Sequence, residues 1–204
     1  LIGIPCTIDN DLYGTDYSIG FASARETIVE AVDKIRDTAA SHERIFIVEV
    51  MGRDSGYLAL ESGIAAGAEM ILIPEYKTNL NSIVDEIKKI NKEKKSLIII
   101  YAEGCKFGSL KKLTKAIKNN IEDSNVRYSI LGHIQRGGTA VPSDRILGTI
   151  LGNKCIEFLF KGEMNKMVGV IDNKTVLHPI DEILKNKRGI NKELYDISKM
   201  ISNY

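Results

Sequence analysis

The sequence predicts an α/β fold with a largely parallel sheet covered by helices on both faces. Three observations predict it. Apolar bursts of strand length recur along the chain, helical repeats separate them, and the bursts lack the polar alternation of a half-exposed sheet. The bursts are Arg44–Val50, Met70–Pro74, Leu97–Ala102, Arg127–Leu131 and Met167–Ile171, each followed by Gly, Pro or polar residues. Between them, Phe21, Ala24, Ile28, Ala31, Val32 and Ile35 recur at three- and four-residue steps, as do Ile83, Ile87 and Ile90, so each set lines one buried helix face. The charged stretch Lys88–Lys95 reads as a solvated helix end. In such folds ligands bind beyond the carboxyl ends of strands, so the turn after each strand is where chemistry is expected.

Bulk properties narrow the function classes. With 204 residues, 44% of them hydrophobic and 27% charged, the chain is long enough for one large domain or two small ones. Its 28 Lys and Arg nearly cancel 27 Asp and Glu, so no global field favours nucleic acid or an anionic membrane, and any anion binding is local. Cys6, Cys105 and Cys155 are far apart, odd in number and without the paired spacing of a zinc site, which fits reduced thiols in a cytoplasmic protein. No apolar run approaches the ~20 residues that span a bilayer, and no signal-peptide pattern opens the chain. The start at Leu1, without an initiator Met, is expected to be the middle of a gene product.

Four turns concentrate reactive side chains. The first, Gly3-Ile-Pro-Cys-Thr-Ile-Asp-Asn-Asp11, continued by Tyr13-Gly-Thr-Asp16, packs a Thr and three acids into a Gly-bounded turn. Asp9 and Asp11 lie two apart and could divide proton abstraction from metal or ligand placement. Plain Asx-turn chemistry is the competing reading. The second is Met51-Gly-Arg53-Asp-Ser-Gly56, where a glycine lets a ligand approach the backbone while a guanidinium clamps phosphate oxygens. The third is Leu131-Gly-His-Ile-Gln-Arg136-Gly-Gly138, in which His133 and Arg136 could converge on one phosphate; a packed core histidine competes with that. The fourth is the lone Glu103, as readily a solvated carboxylate as a ligand.

Taken together these clusters resemble a known family. The wording Thr7-Ile-Asp-Asn-Asp11, Gly14-Thr-Asp16, Met51-Gly-Arg53, Gly132-His-Ile-Gln-Arg-Gly-Gly138 and Ser143-Asp-Arg145 is similar to that of the 6-phosphofructokinases, and the resemblance runs from Leu1 to Tyr204. It implies two Rossmann-like three-layer α/β domains with mainly parallel sheets and an active site in the cleft between them. Residues 1–20 and 135–185 would form part of a nucleotide-binding domain, and 21–134 with 186–204 a sugar-phosphate-binding domain. Over a hundred residues would precede Leu1, and the stretch alone is expected to be unstable or inactive.

The resemblance also implies roles. Asp9 would deprotonate the sugar's 1-hydroxyl, Asp11 and Thr7 would support the moving phosphoryl group, and Arg53 would stabilise its charge. Met51, Gly52, Glu103, His133 and Arg136 would bind the sugar phosphate, with Arg44 and Arg127 reaching into a neighbouring subunit's site in a homo-oligomer, expected to be a tetramer. Arg36, Gly67, Glu69, Lys92 and Lys94 match an allosteric effector site, although Ser96 departs from the His that bacterial forms can carry there. The co-substrates implied are fructose 6-phosphate and ATP with Mg2+, whose main ligand is expected upstream of Leu1. Pyrophosphate-dependent relatives carry Lys where this chain has Cys6, which favours ATP as donor. Asp54-Ser-Gly-Tyr57 is an uncommon wording that leaves pyrophosphate open. A non-catalytic, sugar-phosphate-binding regulatory subunit is the third reading, against which the intact Asp9, Asp11 and Arg53 speak.

Overall fold

The computed structural model describes residues 1–94, 96–106, 108–122 and 124–201. Lys95, the end of the charged stretch, and residues 202–204 of the C-terminal boundary lie outside the described residues. The chain divides into two compact units, residues 1–24 with 136–189 and residues 25–135 with 190–204.

The second unit is built on one parallel sheet. Strands β4 (Ile45–Val50), β5 (Met70–Leu72), β6 (Leu97–Ala102) and β7 (Val126–Ile130) stand in the order β5-β6-β4-β7, every neighbouring pair parallel. All six residues of β6 are buried, as an apolar strand covered on both faces requires. The expected strand at residues 70–74 is shorter than the apolar run, since Pro74 has no N–H to donate and pairing ends at Leu72. Helices α1 (Phe21–Ser41), α2 (Tyr57–Ala65), α3 (Leu80–Glu93) and α4 (Leu110–Asn120) alternate with the strands, and α7 (Lys192–Ile201) packs on α2 and β5. Phe21, Ala24, Ile28 and Val32 of α1, and Ile83, Ile87 and Ile90 of α3, are buried, while Ala31 and Ile35 are half-buried at the edge of the apolar stripe. Asn79 caps α3 by accepting from Ser82 N at 2.8 Å.

The first unit mixes strand directions. β1 (Ile2–Gly3) pairs parallel with β8 (Lys166–Ile171), which pairs antiparallel with β9 (Lys174–Pro179). The β8–β9 hairpin departs from the expected parallel pattern. Asp172 and Asn173 adopt φ 50° and 61° at its two-residue turn, the left-handed pair that a tight hairpin needs and that these residue types tolerate. A second small sheet pairs β2 (Cys6–Thr7) with β3 (Ile19–Gly20), and α5 (Pro142–Phe160) and α6 (Ile180–Lys185) complete the unit. Helix α5 is apolar on more than one face: Leu151 is buried, whereas Ile146, Ile150, Ile156 and Phe160 are exposed.

Asp144, inside the Ser143-Asp-Arg145 wording, ties α5 to residues 20–23 within the first unit, which includes the first turn of α1. Its carboxylate is buried and accepts from Gly20 N (3.1 Å), Ser23 N (2.8 Å) and Ser23 Oγ (2.6 Å), satisfying donors that a helix start leaves orphaned. Asp144→Ala is expected to cost about 3 kcal/mol, because it strands buried donors. Thermal denaturation beside Asp144→Asn, which keeps one acceptor, checks this; equal melting temperatures for wild type and the Ala variant would refute it.

No helix of the described residues is long and apolar enough to cross a membrane.

Candidate functional site

In the second unit, topology opens a crevice. The chain leaves β4 through α2 for β5, beyond β6, and leaves β6 through α4 for β7, beyond β4. By the right-handed crossover rule these opposite connections put α2 and α4 on opposite faces, so the chain leaves β4 and β6 toward different sides at their carboxyl ends, where ligands bind in such folds. Met51, Gly52 and Arg53 follow one strand and Glu103 the other.

The two loops are locked together. Glu103 Oε1 accepts from Gly52 N (3.3 Å) and Arg53 N (3.0 Å), and its own N–H donates to Val50 O (2.9 Å). Gly52 has φ 139° and Ser55 O lies 2.3 Å from where its Cβ would stand, so the turn accepts no side chain there. Gly104 lets Arg53 O approach to within 1.6 Å of a would-be Cβ position. Arg53 is itself left-handed (φ 47°) and its side chain is exposed, while Met51 is buried. The result is a strained, pinned turn in which the backbone of an exposed arginine is held by the Glu103 carboxylate.

Gln135 supplies the third contact. It is 1% exposed, its Oε1 accepts from Met51 N (3.1 Å) and its Nε2 donates to Gly132 O (2.9 Å). This fastens the 3₁₀ turn Gly132–Arg136 to the crevice loop. His133 and Arg136 on that turn are both exposed, and three residues make one turn of such a helix, so they share an edge. The packed-core alternative for His133 is thereby set aside. Sequence reasoning did not single out Gln135: a glutamine inside a polar run carries no mark of being buried.

Charge around the crevice is not neutral in its effect. Glu49 on β4 has its carboxyl pushed up, first by burial and then by the Glu103 charge. Burial also drives the Tyr101 hydroxyl and the Cys105 thiol up to about 12, which keeps Cys105 protonated and unreactive. A carboxyl raised on folding contributes stability that is present below its ordinary value of 4.5 and lost as pH rises through the folded value. Glu49→Gln is therefore expected to raise the melting temperature at pH 7 and to leave it unchanged near pH 4. A gain of the same size at both pH values would sink this.

Arg44 and Arg127 stand elsewhere. Arg44 precedes the first residue of β4, and Arg127 pairs with Phe46 near the amino end of the same sheet. A six-residue strand, about 20 Å long, separates that end from Met51 and Glu103. Arg44 Nε is buried without a hydrogen-bond partner.

The acid turn lies in the first unit. Ser18 Oγ donates to Thr7 O (2.7 Å), and Thr7 Oγ1 accepts from Asp9 N (3.2 Å). The apparent wealth of oxygen ligands divides in two. Asn10 and Asp16 are structural: the Asn10 carboxamide accepts from Ser18 N (2.9 Å) and donates to Asp16 O (3.1 Å), and Asp16 Oδ2 accepts from Asp172 N (2.8 Å) on the hairpin turn. Asp9 is half-buried and Asp11 exposed, and the sequence singles out these two as the candidates for chemistry.

Four of the five matched effector positions converge. Arg36 Nη2 donates to Ala66 O (2.7 Å) and Gly67 O (2.8 Å), and Glu69 meets Arg36 at 3.5 Å and Lys94 at 3.8 Å. Glu69 is buried and its other oxygen accepts from Ile98 N (2.8 Å). Lys92 lies exposed on the last turn of α3.

Comparison with known proteins bears on these arrangements. The family model described as Phosphofructokinase matches residues 1–159. An ATP-dependent 6-phosphofructokinase of Staphylococcus epidermidis is 48% identical over 205 residues, covering 98% of this chain and 62% of that protein. An ATP-dependent 6-phosphofructokinase of Thermoanaerobacter sp. is 45% identical over 202 residues with the same coverage. Among solved structures, phosphofructokinase from Saccharomyces cerevisiae superposes with a TM-score of 0.83 at 33% identity, over 99% of this chain and 27% of that one. The chain thus spans 62% of the length of these curated relatives. On the family match and these relatives, the chain belongs to the phosphofructokinase family.

Proposed function

We propose that the protein of which this chain is part is an ATP-dependent 6-phosphofructokinase, transferring a phosphoryl group from ATP to the 1-hydroxyl of fructose 6-phosphate and releasing ADP and fructose 1,6-bisphosphate. The observation that carries the reading is the pinned turn beyond β4 and β6, where Glu103 accepts from the Gly52 and Arg53 N–H groups. In this reading residues 1–20 and 135–185 belong to a nucleotide-binding domain, and 21–134 with 186–204 to a sugar-phosphate-binding one. Asp9 takes the proton from the 1-hydroxyl as its oxygen attacks the phosphorus of the donor, and the bond to the leaving phosphate oxygen breaks in line. Arg53, with Thr7 and Asp11 placing the group, offsets charge on the moving oxygens. Glu103 uses one oxygen to hold its loop and offers the carboxylate to sugar hydroxyls, while His133 and Arg136 take the 6-phosphate. Met51 and Gly52 shape the floor. In this reading Mg2+ accompanies the donor phosphates, and no step is assigned to it.

Arg44 and Arg127, at the far end of the sheet, serve a neighbouring subunit's site in this reading, in a homotetramer. The unpartnered Arg44 Nε favours it, since a buried guanidinium nitrogen without an acceptor is costly. Mixing inactive Arg44→Ala and Asp9→Asn proteins should restore a fraction of activity by forming hybrid sites. The cluster of Arg36, Gly67, Glu69 and Lys94, with Lys92 near it in sequence, is proposed as the effector site. Three cysteines, none of them in a disulfide, fit a cytoplasmic location.

A second reading concerns the donor. Cys6 is exposed and supplies no positive charge where pyrophosphate-dependent relatives carry Lys, which supports ATP. The decisive experiment offers fructose 6-phosphate to the whole protein with Mg-ATP and Mg-pyrophosphate separately. Turnover with ATP alone is expected, turnover with pyrophosphate alone would reassign the donor, and none with either would favour a regulatory subunit.

A further inference from the structure

A left-handed residue other than glycine stands between the two acids. Asn10 has φ 53°, a left-handed conformation that asparagine tolerates, and it is fully buried, so its polar groups need partners inside the fold. Its carboxamide is held by Ser18 and Asp16. Its carbonyl, the oxygen of the peptide that carries Asp11, accepts from Arg188 Nη1 at 3.0 Å. Arg188 lies between α6 and α7, 178 positions along the chain, so this segment returns to clamp the turn. A guanidinium gives a charge-assisted bond with fixed geometry, which a lysine or a water does not reproduce.

We propose that Arg188 is a positioning residue for the acid turn: by holding the Asn10 carbonyl it orients the Asn10–Asp11 peptide and, through it, the Asp11 carboxylate. The proposal rests on the phosphoryl-transfer reading given above. A purely structural role, tying one segment to its unit, is the alternative. The surroundings allow the two to be told apart, because Arg188 also lines a cavity of about 230 Å³ together with Tyr13, Thr15, Asp16, Ile171 and Lys187. A solute of guanidinium size therefore has a route to the position that Arg188→Ala vacates.

In the whole protein with Mg-ATP, Arg188→Ala is expected to lower kcat by about 10- to 100-fold, the effect of a catalytic group displaced by about 1 Å, with KM for fructose 6-phosphate within about threefold. Millimolar guanidinium should restore part of the loss, and Arg188→Lys should be intermediate. In an Asp11→Asn background the same substitution should change kcat by less than about twofold, because the two side chains act as one unit. Additive losses, or a fall in kcat that follows thermal stability and ignores guanidinium, would overturn the proposal. Should the wild type transfer no phosphoryl group, the functional reading fails by itself and amide exchange decides the positioning. Arg188→Ala should then speed exchange across residues 10–18 by about tenfold or more relative to the sheet of the second unit, as local opening requires. Unchanged exchange would overturn it.

Discussion

Asp9→Asn is expected to reduce kcat for phosphorylation of fructose 6-phosphate by about 10²- to 10⁴-fold, the range of a lost general base. The carboxamide is nearly the same size as the carboxylate but cannot take the proton of the attacking hydroxyl at neutral pH. The turn itself should survive the change. Two of its restraints, the Asp9 N–H to Thr7 Oγ1 bond and the anchoring of the neighbouring Asn10, do not involve the Asp9 charge. KM for the sugar phosphate and the melting temperature are therefore expected to stay close to wild type. Steady-state kinetics beside calorimetry measures both, and a variant retaining more than about a tenth of wild-type kcat would remove Asp9 from the role of base.

Gly104→Ala is expected to be the most damaging substitution of a single methyl group in the crevice. An added Cβ would stand 1.6 Å from Arg53 O and 2.8 Å from Arg53 C, and both atoms are backbone, so no side chain can swing away to relieve the clash. Either β6 shifts within a sheet where it is hydrogen-bonded on both sides, or the Met51–Ser55 turn lifts off Glu103. The turn is the softer of the two, because its conformation is already strained at Gly52 and Arg53. A cost of about 3 kcal/mol or more is expected, which for a chain of this size lowers the melting temperature by roughly 6–12 °C. Sugar-phosphate binding should weaken by at least about tenfold, the equivalent of about 1.4 kcal/mol. Unaltered stability and unaltered binding would show that the loops after β4 and β6 do not meet here.

Legibility in the sequence followed physical range. Strand β6 was readable because six consecutive apolar residues between turn signals are a local pattern, and β4 and β8 were readable for the same reason to within a residue. Strand β9 carries no such local signal: its residues are polar and apolar in mixture, and it follows the tight Asp172–Asn173 turn. The four reactive turns were legible because strand ends are predictable and Gly, Arg, His and carboxylates stand out beside them. Which of the oxygens in the first turn remain for chemistry was not legible. Asp16 and Asn10 are as polar as Asp9, and the bonds that fix Asn10 and Asp16 to Ser18, Arg188 and the β8 strand join residues far apart in sequence.

By itself, then, the sequence determined the alternation of helix and strand, the parallel sheet of the second unit and the identity of the candidate acids and cations, because these depend on residue type and on spacings of two to four. Only the tertiary structure decided what holds them. Gln135 meets Met51 across 84 positions, Asp144 meets Gly20 across 124, and Arg188 meets Asn10 across 178. It likewise put Arg44 and Arg127 at the amino end of the sheet, a strand's length from Arg53 and Glu103. The reason is that a hydrogen bond reports the distance between two groups after folding. No local periodicity encodes which distant donor will arrive at a given acceptor.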